Sequence, residues 1–183
     1  MIRTLLYVVA GLVLGGIIHI AAILTLPLLA EETVWTRIAA LGARDRVVVL
    51  PPVEAGAANP LGLDPELVYG ICEVDLSEGP AYMTGVMPDA FWSIAVHNRE
   101  GTVIYATTNR DGIGRTLSLG IFNPAQTRLL AQQQLDVEEG LLIVESPTDP
   151  LFITVRLAPA HEAMRARYAH TLAGVACGSR PVE

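Results

Sequence analysis

The sequence predicts an α+β protein: a single N-terminal transmembrane helix followed by a mostly antiparallel, sandwich-like β domain with a closing C-terminal helix. Three observations support this prediction. An apolar run occupies most of the first 30 residues, short segments of alternating polarity follow from about residue 68, and an amphipathic helical pattern lies near the end of the chain.

The composition restricts the class of protein. The chain has 183 residues, of which 51% are hydrophobic, and this length and apolar content suit one domain of ordinary size with an appendage. The formal net charge is −7. Because nucleic-acid binding needs basic residues concentrated on one face, the acidic balance argues against a nucleic-acid partner.

Residues 1–30 are predicted to be a transmembrane anchor, with the lipid bilayer as partner. The run from Thr4 to Ala30 carries no formal charge when His19 is neutral, and it exceeds the ~20 helical residues that cross a bilayer core. A cleaved signal peptide is the alternative, but its apolar region is usually only roughly 7–15 residues long. Gly11 and Gly15 form a GxxxG pair that would let a second helix approach closely, although this pattern also recurs by chance.

The charges that flank the anchor bear on its orientation. Arg3 precedes the span, whereas Arg37, Arg44 and Arg46 follow it. By the positive-inside rule this count favours a cytoplasmic domain. The start of the chain nevertheless resembles an export signal, with almost no tail before a long apolar run, and we therefore predict that the domain lies outside the cytoplasm.

Residues 31–62 are predicted to be a juxtamembrane helix and a linker. Apolar residues recur at helical spacing from Val34, with Trp35 beside them. This pattern suits either a short helix at the membrane surface or a helix that caps the domain. The Ala- and Gly-rich stretch from Ala55 to Gly62 indicates an irregular connection, so the β-rich soluble domain is expected over residues 63–183.

Alternating polarity predicts the strands of this domain. From Val68 to Leu76, apolar and small residues alternate with acidic ones, which turns Cys72 toward the core. The sequence Arg99-Glu100-Gly101 is a hairpin signal between two further strands. The remaining predicted strands are 81–87, 91–98, 102–108, 117–121, 141–145 and 151–157, of which the last two are expected to pair across a proline-rich turn.

Two helices complete the predicted domain. Residues 124–135 have the polar and apolar mix of a short helix, with Pro124 in the first turn, where a missing N–H costs least. Residues 160–176 form the closing helix that packs on the sheet. Its apolar stripe consists of Met164, Tyr168, Leu172 and Val175.

Two stretches carry a resemblance to a known family. The strand end VDLSEGP, up to Pro80, is followed by FWSIAVHNREGTVIYATTN, up to Asn109. Together they resemble the strand, turn and hairpin block of the bacterial family known as domain of unknown function 1254, over roughly residues 59–158. Longer relatives carry an Asn-x-Asp-Thr-x-Tyr type segment ahead of this block. Here Asn59, Asp64 and Tyr69 occupy its place in altered spacing.

The resemblance has implications for location and partners. It implies an exported, envelope-associated β-rich protein, often next to a companion β domain, and it supplies no agreed catalytic residues. The expected location is therefore the bacterial inner membrane, with a single span and a periplasmic domain. A membrane or envelope protein is the expected protein partner.

The two cysteines, Cys72 and Cys177, admit three interpretations: an apolar filler, a disulfide or a nucleophile. Cys72 faces the apolar side of its strand, where burial raises a thiol pKa and suppresses reactivity. In an exported domain the pair is free to oxidise, and the bond would close a loop of roughly 100 residues. A disulfide is therefore the preferred prediction, with Cys177 reaching the sheet from the end of the terminal helix.

Candidate ligand-binding residues come from the hairpin and from the loop that follows it. The hairpin aromatics lie near one another, as pocket lining or as ordinary core, and alternation places His97 on the face opposite Trp92. The segment from Asn109 to Arg115 resembles an anion-holding glycine loop, but it lacks the P-loop lysine and can equally be a polar turn. The candidate set is Trp92, His97, Tyr105, Asn109, Arg110, Asp111 and Arg115.

The predicted function is a membrane-tethered envelope domain that binds or assembles without catalysis. The sequence holds no catalytic constellation and no metal or cofactor motif, so no catalytic residue, metal or cofactor is expected. Two alternatives stay open. One is a ligand-processing or hydrolase-like enzyme with its site at Asn109–Arg115, and the other is a subunit of a larger inner-membrane complex that pairs through Gly11 and Gly15.

Overall fold

A computed structural model of the chain describes residues 2–29, 33–110, 115–133 and 140–180. It divides into two compact units, Met1–Thr33 and Val34–Glu183. The first unit is helix α1 (Ile2–Leu29). Its stretch Ile2–Leu26 has a mean hydropathy of 2.3 and no buried side chains, and its 25 residues would span about 37 Å. A membrane anchor and a signal sequence share this length and composition.

The second unit is α+β. Among the described residues, nine strands form two sheets, one with the order β1-β2-β8-β4-β5 and the other with the order β7-β6-β3-β9. Every pairing is antiparallel except that of β6 with β7. The elements are α2 (Val34–Ala39), β1 (Val48–Val49), β2 (Val68–Asp75), β3 (Ala81–Val86), β4 (Trp92–Asn98), β5 (Val103–Thr108), β6 (Thr116–Phe122), α3 (Pro124–Gln133), β7 (Leu142–Glu145), β8 (Pro150–Leu157), α4 (Arg165–Ala173) and β9 (Ala176–Ser179).

The main core lies between the two sheets. In β6, Leu117, Leu119 and Ile121 are buried at alternate positions, and β8 buries Ile153 and Val155 in the same way. Because side chains of a strand alternate between its faces, each sheet presents one apolar face to the other. The prediction of a mostly antiparallel β domain that includes a C-terminal helix is therefore confirmed.

Helix α2 packs on the outer face of the first sheet. Ile38 is buried there in a smaller cluster with Ile71 and Phe152. This packing is that of a helix that caps the domain. The second compact unit runs from Val34, because α2 and β1 are both packed on β2.

The pairing expected between residues 141–145 and 151–157 is wrong. The turn between β7 and β8 crosses from one sheet to the other. At its start the Ser146 N–H donates to the Phe122 carbonyl of β6, and at its end the Asp149 carbonyl accepts from Leu76 N–H, just after β2. The two strands therefore belong to different sheets.

The C-terminal helix is shorter than predicted and does not end the domain. A 3-10 turn at Glu162–Met164 precedes α4, which ends before Gly174. Tyr168 and Leu172 are buried on the sheet, as expected from the apolar stripe. The small residues that follow form β9, which pairs with β3 and carries Cys177.

Cys72 and Cys177 form a disulfide with a Cα–Cα distance of 6.5 Å. The bond joins β2 of the first sheet to β9 of the second, and Cys72 is fully buried. Asp45 lies beside it at a φ of 52°, and its Oδ1 accepts from the Ser179 N–H at 2.8 Å. The disulfide and this hydrogen bond together hold the edge strand β9. Neither sulfur is left as a nucleophile.

Candidate functional site

A cleft of about 400 Å³ lies on the outer face of the first sheet, under α2. This volume is within the usual range of ligand sites, and a mostly apolar lining with a few polar groups is typical of them. The apolar lining comes from Val34, Ile38, Leu61, Leu63, Ile71 and Phe152, and the polar or charged lining from Tyr69, His97, Glu100, Thr154 and Arg156.

Two contacts fix α2 as one wall of the cleft. The Trp35 ring lies 6.4 Å from the Phe152 ring, and the Arg99 guanidinium lies 5.7 Å from the centre of the same indole. Arg37 also donates a hydrogen bond to the Pro60 carbonyl. The helix is therefore tied to the sheet, to the β4–β5 turn and to the segment before β2.

Asn59 shapes the opposite wall. Its Nδ2 donates to the Leu63 carbonyl, and its Oδ1 accepts from the Leu63 N–H, both at 2.8 Å. The Tyr69 hydroxyl accepts from the Asp64 N–H at 3.0 Å. The three residues Asn59, Asp64 and Tyr69 thus hold the turn that places Leu61 and Leu63 in the cleft.

His97 lies on the floor of the cleft with its polar atoms already engaged. Its ring stacks on Phe152, with centroids 4.6 Å apart and planes 5° from parallel. Nδ1 lies 3.3 Å from the Gly101 carbonyl, and Nε2 lies 3.1 Å from Thr154 Oγ1. Because the Gly101 carbonyl can only accept, Nδ1–H donates to it, whereas the Thr154 hydroxyl lies within reach of both His97 Nε2 and the Ala95 carbonyl, the latter at 3.4 Å.

The electrostatic surroundings of His97 disfavour its protonated form. Burial lowers the pKa of His97, the carbonyl of Gly101 opposes this in part, and the charge of Arg156 lowers the pKa further. A β-bulge between Val96 and His97 interrupts the ladder at this point. The two hydrogen bonds and the stacking on Phe152 hold the imidazole in one orientation on the floor of the cleft.

The low pKa of His97 predicts that the domain loses stability as the pH falls through about 6.5. Below pH 6.5, the ordinary histidine pKa, His97 is protonated in the unfolded chain but not yet in the folded domain. Acidification therefore favours unfolding until the pH passes the lower pKa of folded His97. Urea unfolding of the full chain at pH 7.5, 6.5 and 5.5 measures this loss.

Two variants isolate the contribution of His97. The His97→Gln variant should flatten the pH dependence over this range, whereas His161→Gln, in an exposed turn, should leave it intact. An unchanged slope in His97→Gln would contradict the assignment. Arg156 and Glu100, the other charged groups of the cleft lining, stay in place in both variants.

The other predicted site residues do not join His97. Trp92 is 2% exposed in the main core, and Tyr105 packs against that core, because alternation along β4 and β5 directs them to other surroundings. Asn109 and Arg110 are exposed, and the Asn109 N–H donates to the Trp92 carbonyl, at the end of the hairpin opposite Gly101.

The remaining candidates lie elsewhere. Arg115 donates to the Met87 carbonyl, and Asp111 is outside the described residues. Gly11 and Gly15 are in the first unit, with nothing within 4 Å of where a Cβ would stand. In the part of the chain that the structure describes, no group of three or more His, Cys, Asp or Glu is placed to hold a metal.

Sequence reasoning missed most of the cleft. Phe152, Thr154 and Arg156 occupy alternate positions on the outer face of β8, a mixed aromatic, polar and basic pattern that is not required on a sheet face exposed only to solvent. That alternation was a usable signal. The contributions of α2 and of Leu63 depend on long-range packing and have no local signal.

No family model matches the chain, and no curated protein matches it. Among solved structures, the VPA0106 protein of Vibrio parahaemolyticus is similar at 9% identity and a TM-score of 0.51, over 67% of this chain and 32% of that one. An uncharacterised protein of Burkholderia cenocepacia gives 14% identity and a TM-score of 0.47, over 69% and 35%. The chain thus spans about a third of the length of these structures, and the first likeness supports a shared fold.

Proposed function

We propose that the chain is a single-pass protein of the bacterial inner membrane whose periplasmic β domain binds a ligand or partner in the cleft under α2, without catalysis. The apolar stretch Ile2–Leu26 supports the anchor. The Cys72–Cys177 disulfide supports an oxidising compartment, since such bonds are rare in the cytosol. The resemblance to the family of domain of unknown function 1254 supports an envelope location.

One observation carries the binding role: a cleft of about 400 Å³, with a mostly apolar lining, is braced by contacts within the domain. Both nitrogens of His97 are bonded within the domain, and Asn59 and Trp35 brace the two walls. This arrangement does not support the alternative that the protein is an enzyme. Its loop residues Asn109 and Arg110 lie at the far end of the hairpin from His97.

A role as subunit of a larger membrane complex is a second candidate. This chain covers only 32% of the VPA0106 protein, so the similar fold there is part of a longer chain. Gly11 and Gly15 offer a face for pairing with a helix of another subunit. Whole-protein activity and partners would then belong to the complex.

A photo-cross-linking residue tests the binding role. We place p-benzoylphenylalanine at Leu63, inside the cleft, or at Leu129, which is 47% exposed on α3, in the full chain in living bacteria. A defined adduct, detected as a discrete mass shift, is expected at position 63 and not at 129. No adduct at 63, or the same adducts at both positions, would contradict binding in the cleft.

Thiol labelling of the same cells tests the location separately. A membrane-permeant maleimide added without reductant should modify neither cysteine, and it should modify both after denaturation with reductant. Modification of Cys72 or Cys177 without reductant would remove the periplasmic assignment and leave the cross-linking result standing.

A further inference from the structure

Arg156 stands out in the cleft because no ion pair joins it to an acidic side chain of the described residues. It is half-buried on the outer face of β8, between Tyr69 and Ser93 on the neighbouring strands. Within the described residues, the ion pairs are Arg44–Glu78 and Arg165–Glu162, and neither involves it. A partly desolvated cation without a counter-charge is unfavourable, so an anion bound there would be stabilised.

The other charged or titratable side chains of the cleft do not provide that counter-charge. An imidazole carries no negative charge in either of its ordinary forms, and the His97 nitrogens lie within hydrogen-bond distance of the Gly101 carbonyl and the Thr154 hydroxyl. Glu100 is exposed at the β4–β5 turn, where water and salt screen its carboxylate. The cationic end of the cleft is therefore open to an anionic group from outside the chain.

Along β8 the cleft lining changes from the apolar Phe152, through Thr154, to Arg156. Phe152 and Arg156 are four residues apart on one face, which separates them by about 13 Å along the strand. Phe152 lies in the apolar cluster with Ile38 and Ile71, and Leu63 packs against that cluster. The lining thus runs from an apolar end at Phe152 to a single cation at Arg156.

We propose that the cleft binds a small amphipathic anion, with its apolar body against Phe152 and Leu63 and its carboxylate or phosphate paired with Arg156. This inference rests on the proposed binding function. The guanidinium fork matches both head groups, since carboxylate and phosphate each accept two parallel N–H donors. The cleft, about 400 Å³, exceeds the ~150 Å³ cavity that holds one benzene, so it has room for a short alkyl chain.

Four octyl probes that differ only in their head group test the proposal. Octanoate, octyl phosphate, octan-1-ol and octyltrimethylammonium are titrated into the full chain in zwitterionic nanodiscs, and the heat given by empty nanodiscs is subtracted. One or both anions should bind at least tenfold more tightly than the alcohol, and the cation should bind most weakly. Whichever anion binds more tightly identifies the head group.

Variants assign the binding to Arg156. Arg156→Gln should weaken anion binding at least tenfold, whereas Arg156→Lys should retain part of it as a point charge. Arg110→Gln, at an exposed position at the far end of the hairpin, is the matched control and should bind like the wild type. Thermal unfolding checks that each variant is folded. If Arg156→Gln is not folded, the loss of anion affinity is measured in Arg156→Lys instead.

The possible failures are distinguishable. Anions that bind no better than octan-1-ol, no binding by any probe, or full anion affinity in Arg156→Gln would each overturn the anionic assignment. If octan-1-ol binds and Leu63→Trp abolishes its binding, the binding cleft stands without the anion. The cross-linking at Leu63 decides the proposed function independently of all four probes.

Discussion

Replacing Cys72 and Cys177 together with alanine should lower the free energy of unfolding by about 4 kcal/mol. The disulfide closes a loop with a sequence separation of 105, and a loop of this size restricts the unfolded chain by about 4–5 kcal/mol in the chain-entropy account. For a domain of this length the unfolding midpoint should fall by roughly 8–16 °C. Denaturant and thermal unfolding of the full chain in detergent, without reductant, measure both quantities.

Reductant provides the internal control for this prediction. The wild type unfolded in reductant should approach the stability of the double variant, and the double variant should not respond to reductant at all. A double variant as stable as the oxidised wild type would contradict the loop-entropy estimate for this disulfide.

The disulfide illustrates what local sequence patterns predict well. Alternation from Val68 onward turned Cys72 inward, and the structure places it in the core with no exposed surface. The turn Arg99-Glu100-Gly101 joins β4 and β5 as expected, with the Gly101 N–H donating to the Asn98 carbonyl. Both features depend on a period of two and on glycine in a turn, which are properties of short segments.

Such local patterns predict neither which strands pair nor where the cleft forms. β7 has the alternation of a strand, but its parallel pairing with β6 depends on where the turn Ser146–Asp149 crosses between the sheets. The cleft likewise needs α2 to meet Phe152, more than a hundred residues away in sequence. Long-range contacts of this kind are decided by the packing of the whole domain, and a periodicity within one segment does not specify them.

The contrast between Trp92 and Phe91 tests the face assignment of β4 most strongly. Trp92 is 2% exposed in the main core, whereas Phe91, its neighbour, is 53% exposed. Trp92→Ala should therefore cost about 3–5 kcal/mol of unfolding free energy, through lost burial and a large cavity, and Phe91→Ala should cost less than about 0.5 kcal/mol. Urea unfolding of the full chain, followed by circular dichroism, measures both.

The cost of Trp92→Ala is a large part of the ~5–15 kcal/mol that stabilises a typical domain, so this variant could fail to fold. A milder substitution then serves for the comparison. Trp92→Leu retains an apolar side chain and should fall between the wild type and the alanine variant. Equal losses at residues 91 and 92 would show that β4 presents both faces to packed surroundings. That result would also undermine the cleft, because His97 reaches it only if Trp92, on the opposite face of the same strand, is in the core.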